Sequence, residues 1–149
     1  MPNNKEIFEI MSYLDDEIIE DFKKIGITFT ILPRQQHNLI VSEMNNSIPF
    51  HTCNIAWELL EDSIYLGDIT SDTSIESLAE KIKQTTESHV IIVGDSTDHA
   101  YSINVEDIYP ALRIFSTIPQ HTFITFISQK KIKWIAGLSF EGNMYFSNL

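Results

Sequence analysis

One cysteine, Cys53, stands in a chain of 149 residues. An internal disulfide framework and a cysteine zinc cluster are therefore excluded, and the usage suits a reducing compartment. Cys53 itself reads as a small buried apolar side chain. The five glycines, at positions 26, 67, 94, 137 and 142, are isolated from one another, so there is no glycine-rich loop to cradle a phosphate. No apolar run approaches the ~20 residues needed to cross a bilayer. The opening MPNNKEIFEI has no basic segment followed by an apolar one. A cytoplasmic protein that does not enter a membrane is expected. Linkers of Gly and Ser, low-complexity tracts and internal repeats are also missing.

Positive charge is scarce as well: 10 Lys and Arg face 21 Asp and Glu, a net charge of −11. A surface meant for a nucleic-acid duplex would have to work against that repulsion. Direct nucleic-acid binding is not expected. The imbalance is local, since residues 1–100 hold 18 acidic and 6 basic residues whereas 101–149 hold 3 and 4.

What the chain does have is apolar material: 43% of its residues are hydrophobic and 11% aromatic, ample for one core. A single domain over 1–149 is expected. The clearest pattern lies between His121 and Phe146, where HTFITFI, IKWIAGLSF and MYF are separated by short turn signals and read as a three-stranded antiparallel meander. In its middle run Ile132, Trp134, Ala136, Leu138 and Phe140 alternate onto one face, with Lys133 and Ser139 on the other. A face of that composition must be covered, so helices are expected on it.

Upstream, Ile7, Met11, Leu14, Ile18, Phe22 and Ile25 make a helical stripe over Lys5 to Ile25, with Asn4 as N-cap and Gly26 as stop. Glu6, Glu9, Asp16, Glu20 and Lys24 form its solvated side. ITFTIL (27–32) reads as a strand ended by Pro33, and Asn38 to Ser42 as its return. Residues 53–69 fit either a helix or a hairpin turning at Glu61-Asp62; the hairpin is preferred because IYLGDI is strand-like. Thr73-x-x-Glu76 forms a capping box ahead of a helix carrying Ile75, Leu78, Ala79 and Ile82. HVIIV (89–93) reads as a buried strand. A short helix starts near Ile108 or Tyr109 with Pro110 in its first turn and Pro119 beyond its end. The fold class expected is α+β: a mainly antiparallel sheet ending in the meander, with about three helices packed on one face.

Four kinds of chemistry can be weighed. VIIVGDS (90–96) is similar to the nucleophile block of SGNH hydrolases, with Ser96 as the attacking group, and makes a small ester hydrolase an alternative reading. That family places the block near the start of its domain and an Asp-x-x-His pair near the end, and neither His99 nor His121 is preceded by Asp at three. Asp95, Asp98 and His99 lack calcium-loop or helical two-His zinc spacing, so no metal is expected. His37, His51, His89 and His121 share no motif. Among 21 acids a close carboxylate pair arises by chance and carries little weight. No cofactor is expected, nor an enzyme.

Binding is what remains. Trp134-Ile135-Ala136-Gly137-Leu138-Ser139-Phe140-Glu141-Gly142-Asn143-Met144-Tyr145-Phe146 resembles the closing hairpin of bacterial toxin-immunity proteins of contact-dependent growth inhibition systems. The resemblance covers about the last fifth of the chain, with size and acidity in its favour. It implies a cytoplasmic antitoxin that binds a cognate cationic toxin domain, often a nuclease, and blocks it. No contact residue transfers from the hairpin. A regulatory or adaptor domain is the further alternative.

Contact residues therefore rest on charge and placement. If the strands at 64–67 and 89–93 are parallel neighbours, the loops that follow them share one sheet edge and gather Asp68, Asp72, Asp95 and Asp98, with Tyr101 as an aromatic anchor and Glu106 and Asp107 just beyond. The competing acidic surface is the outer face of the first helix, with Asp16, Glu17, Glu20 and Asp21. The loop edge is the preferred partner-binding surface.

Overall fold

A computed structural model describes residues 4–149, with side chains from Tyr13 onward. The cap expected of Asn4 and the contributions of Ile7, Met11, Glu6 and Glu9 lie outside the described side chains. Helix α1 (Asn4–Ile25) buries Ile18 and Phe22 completely. It stops at Gly26, whose φ of +87° suits a residue without Cβ, and the Ile27 N–H closes the end by donating to the Phe22 carbonyl at 2.9 Å. That reversal carries Ile27 into the core and leaves Ile25 55% exposed, so Ile25 does not extend the stripe as expected.

Strand β1 (Phe29–Ile31) is short, and Pro33 ends it. Residues 38–42 are then helical, within α2 (Arg34–Ser47), and do not form the expected return strand. The run LIV suggested a strand, but His37, Ile40 and Met44 are the residues that bury, at i, i+3 and i+7. Residues 53–69 form neither a single helix nor a hairpin about Glu61-Asp62. β2 (Phe50–His51) pairs with β3 (Asn54–Ile55) through a tight turn that leaves Cys53 exposed and not buried as expected, a 3-10 turn follows over Trp57–Leu59, and β4 (Ile64–Asp68) leaves to join a different strand.

Helix α3 (Asp72–Thr85) buries Ile75, Leu78, Ala79 and Ile82 as the spacing requires. Its cap lies two residues earlier than expected: the Ser71 hydroxyl accepts from the Ser74 N–H, while Thr73 and Glu76 are exposed. Strands β5 (His89–Gly94) and β6 (Tyr101–Asn104) follow, then a 3-10 turn at Val105–Asp107 and α4 (Ile108–Phe115) with Pro110 in its first turn. The meander closes the chain as β7 (Thr122–Ser128), β8 (Lys131–Leu138) and β9 (Asn143–Asn148).

These strands build one seven-stranded sheet in the order β1-β6-β5-β7-β8-β9-β4, antiparallel at every pairing. The fold is α+β. Both faces of the sheet are covered, which the alternation in β8 did not suggest. Residues of α1, α3 and α4 form one core with Trp134, Ala136 and Leu138, while α2, the small hairpin and Trp57 form a second with Ile132 and Ile135. Helices therefore do not lie on one face only.

The register between β7 and β8 shifts between Thr125 and Ile127, giving β8 one extra residue there. A bulge of this kind reverses the alternation, so Ile132 packs with Ile135 rather than with Trp134. Phe140 lies beyond the end of β8 and is 62% exposed. On the second face Trp57 lies flat over Gly137, where a Cβ would come within 2.6 Å of its ring. Glycine is required by that close approach.

Candidate functional site

The strand directions bring the C-terminal ends of β4, β5 and β8 and the N-terminal ends of β6, β7 and β9 to one end of the sheet. β4 and β5 point the same way but are not neighbours. Three strands lie between them, which sets their ends roughly 19 Å apart at the usual strand spacing. Asp95 and Asp98 thus occupy one corner of this strand-end surface and Asp68 another. They do not converge on a single edge pocket.

The loop carrying Asp95 and Asp98 is held from two directions by buried polar side chains. From α1, Asp15, only 2% exposed, accepts the Asp98 N–H at 2.6 Å, the His99 N–H at 3.3 Å and the Tyr101 hydroxyl. From the segment before β7, the buried Gln120 accepts the Ser96 and Thr97 N–H groups at 3.0 Å and donates to Thr122 Oγ1 at 3.2 Å. Gly94 makes room for it, because a Cβ there would lie 2.2 Å from the Gln120 amide nitrogen. Unpaired backbone N–H groups in a loop this close to the core would be costly, and these two side chains satisfy four of them.

Tyr101 is fully buried and cannot serve as the expected surface anchor. Burial first, and then its hydrogen bond to the Asp15 carboxylate, push its phenol well above the ordinary range, so it stays a donor. Sequence spacing could not reveal Asp15, because it sits among the acids of DDEIIED and looks solvated. Its place one turn before Ile19, on the flank of the buried stripe, was the available signal.

His37, at the first turn of α2, is buried and lies 3.4 Å from an Arg34 nitrogen. Desolvation, followed by the charge of Arg34, holds its imidazole below the usual value of 6.5. The unfolded chain therefore binds a proton more readily than the native one. The contribution of His37 is present above pH 6.5 and is lost as pH falls toward the lowered native value. His37→Gln is expected to flatten the acid side of the stability curve below that pH. Urea titrations of both proteins at a series of pH values measure it.

At the middle of the strand ends, Asp95 accepts the His121 N–H at 3.0 Å, and the His121 ring nitrogen Nδ1 accepts the Phe140 N–H at 3.0 Å. The imidazole also packs against the Phe140 ring, with centroids 6.4 Å apart. Phe140 is thereby presented outward from a fixed turn, with Glu141 exposed beside it. The aromatic anchor of this end is Phe140. It escaped notice because it continues the period-two pattern of β8 by one step.

The remaining acids separate. Asp68 accepts the Thr70 hydroxyl at 2.7 Å and its N–H at 2.8 Å; these bonds hold its carboxyl below the usual range. Asp72 forms an exposed ion pair with Arg113 at the start of α3. Glu106 and Asp107 follow the C-terminal end of β6 and lie at the opposite end of the sheet, so they do not belong with Asp95 and Asp98. Strand crossing, and not sequence distance, decides which loops meet.

The Ser96 hydroxyl donates to Asp95 at 3.4 Å, and no histidine ring bonds to it among the described residues. His121, the nearest in the bonding pattern, uses Nδ1 as an acceptor, which places its ring proton on Nε2. Among the described residues no three His, Cys, Asp or Glu side chains are grouped so as to hold a metal ion. None of their helices is long and apolar enough to cross a membrane. No protein-family model matches the chain, and no curated protein or solved structure matches it significantly.

From Gln35 to Glu80 the chain has eight Asp or Glu and no Lys or Arg. That stretch runs from α2 through β4, passes the strand-end surface at Asp68 and Asp72, and continues along α3 away from it. It gives this flank of the molecule a net negative field, with Asp72 the one acid of the stretch paired to an arginine, Arg113.

Proposed function

We propose that this chain is a non-enzymatic binding protein, an immunity protein that binds a cationic toxin domain and blocks it from the strand-end surface. What carries the reading is the exposed Phe140, fixed by His121 and flanked by the carboxylates of Asp95, Glu141 and Asp68, on a chain of net charge −11. An aromatic anchor on a rigid turn, surrounded by charge of one sign, suits recognition of a basic protein groove. The ring gives contact area at small entropic cost, and the acids steer the encounter and disfavour uncharged partners. A nuclease toxin fits best, because its phosphate-binding groove must be cationic and carboxylates can take the place of phosphates.

Phe140→Ala tests the anchor. Its ring is mostly outside the core, so the variant is expected to keep wild-type stability within about 0.5 kcal/mol. Loss of a central anchor should weaken toxin binding by ~30-fold or more, the scale of an interface hot spot. Glu17→Lys with Glu20→Lys, on the outer face of α1, should leave the affinity within about threefold of wild type, the scale of exposed charge pairs. Weakening by the helix pair alone would move the docking surface to α1.

A further inference from the structure

The open edge of β4 has the features of a recognition site in its own right. β4 has a strand neighbour on one side only, β9, and among the described residues no backbone bond joins Ile64 to Gly67 with any other element. Its outward N–H and C=O groups are a template for another strand. Sheet edges are commonly blunted by Lys, by Pro, by a bulge or by a covering element; the bulge of β4 falls between Tyr65 and Gly67, and Ile64 and Tyr65 ahead of it keep regular pairing with Phe146 and Tyr145. β4 has no Lys, Arg or Pro, and it leaves Ile64 42% and Tyr65 56% exposed. The other edge of the sheet, β1, has three residues and runs directly into Pro33.

A groove borders β4 on each face. On the Tyr65 side a cleft of about 440 Å³ is lined by His51, Trp57, Glu58 and Tyr145, with Trp57 and Tyr145 stacked at 5.0 Å. On the Leu66 side a cleft of about 420 Å³ opens between β4 and α3, lined by Thr73, Glu76, Ser77, Glu80 and Lys81. An added strand sends successive side chains to opposite faces, one set into each cleft. Both clefts present carboxylates, Glu58 bonded to His51 in the first and Glu76 and Glu80 in the second. The single cation lining them, Lys81, is drawn over the Phe146 ring at 5.5 Å.

From this we infer that the β4 edge is a strand-addition site for an extended basic segment of the protein's partner, with Lys or Arg directed toward Glu76 and Glu80 and an Arg or aromatic side chain laid against the Trp57–Tyr145 stack. The inference rests on the reading of this chain as an inhibitor of a cationic protein, and it names how that partner is held. A second copy of the chain is the wrong occupant. Pairing β4 with itself would bring Glu58, Glu61, Asp62, Glu76 and Glu80 of two molecules, each of net charge −11, against one another. Asp68, at the end of β4, makes the edge continuous with the strand-end surface around Phe140.

The test uses a fluorescently labelled nine-residue peptide of alternating Arg and Val, and the same peptide with every amide N-methylated. The second keeps side chains and charge but has no N–H to donate. Anisotropy titrations are made with the wild-type chain and with the double variant Ile64→Lys, Tyr65→Lys. Both substituted positions are exposed, and circular dichroism confirms that the variant is folded. The expected result is binding of the first peptide with slowed hydrogen exchange at Ile64 to Leu66, and at least tenfold weaker binding both for the N-methylated peptide and for the double variant. Equal affinity for the two peptides would reduce the interaction to charge and overturn the proposal, as would absence of binding by the first. A wild-type dimer in sedimentation that disappears in the double variant would overturn it in favour of self-pairing. Because no toxin enters the assay, its failure would remove the β4 edge and leave the inhibitor reading to its own test.

Discussion

Asp15→Ala is expected to destabilise the protein by about 3–5 kcal/mol, the scale of a buried charged acceptor removed from its donors. The carboxylate takes three hydrogen bonds, from the Asp98 and His99 N–H groups and the Tyr101 hydroxyl, while almost wholly shielded from water. Alanine leaves all three donors without a partner and opens a cavity that water can only partly use. Asp15→Asn is the informative companion. It keeps one acceptor oxygen but directs an NH₂ toward N–H donors, so about 1–3 kcal/mol is expected. Denaturant unfolding measures both, and hydrogen exchange at Asp98 and His99 should quicken before the rest of the sheet opens. A stable Asp15→Ala variant with unchanged exchange would mean that the loop is held by other means.

Trp134→Ala is expected to cost about 3–5 kcal/mol, a large fraction of the ~5–15 kcal/mol that stabilises a typical domain. Trp134 is 2% exposed and stacks on Phe146 at 5.7 Å, in the core formed with α1, α3 and α4. It lies next to the bulge in β8, where the strand cannot readily shift to fill the space. The unfolding midpoint should drop with an unchanged denaturant slope if the native state stays compact. Wild-type stability in this variant would contradict the packing of the meander.

Much of this architecture can be read from local pattern. The meander, the helical stripes of α1 and α3, the buried run of β5 and the placement of Pro110 in a first turn all follow from periodicity and from what proline and glycine permit. The errors fall where one residue changes the phase. An extra residue in β8 moves Ile132 to the second core, a single step past its end turns Phe140 outward, and LIV in α2 has strand composition inside a helical burial pattern. Helix α2 in turn explains the covered second face, which no single strand pattern could announce.

The site was legible only in part, for a different reason. Asp95 and Asp98 follow the sheet end that the plain strand pattern of HVIIV predicts. Asp68 and Asp72 share that end of the sheet, because β4 and β5 point the same way, but β4 pairs with β9 and not with β5, which sets them at its far corner. Long-range pairing of this sort depends on tertiary packing and leaves no local trace. Asp15 and Gln120, which shape the loop, are polar residues whose burial is decided by donors far along the chain.

The central claim, that this chain is an acidic inhibitor of a cationic toxin, is tested most directly by titrating it calorimetrically against the C-terminal domain of whatever protein the reading frame immediately upstream encodes. A one-to-one complex is expected, with the toxin's activity abolished at stoichiometry. Raising salt from about 50 to 200 mM, which shortens electrostatic reach by half, should weaken the complex several-fold. The Ser96→Ala variant should bind as well as the wild type. A chain that binds no such domain, or one that turns over simple esters and loses that turnover in Ser96→Ala, would contradict the account.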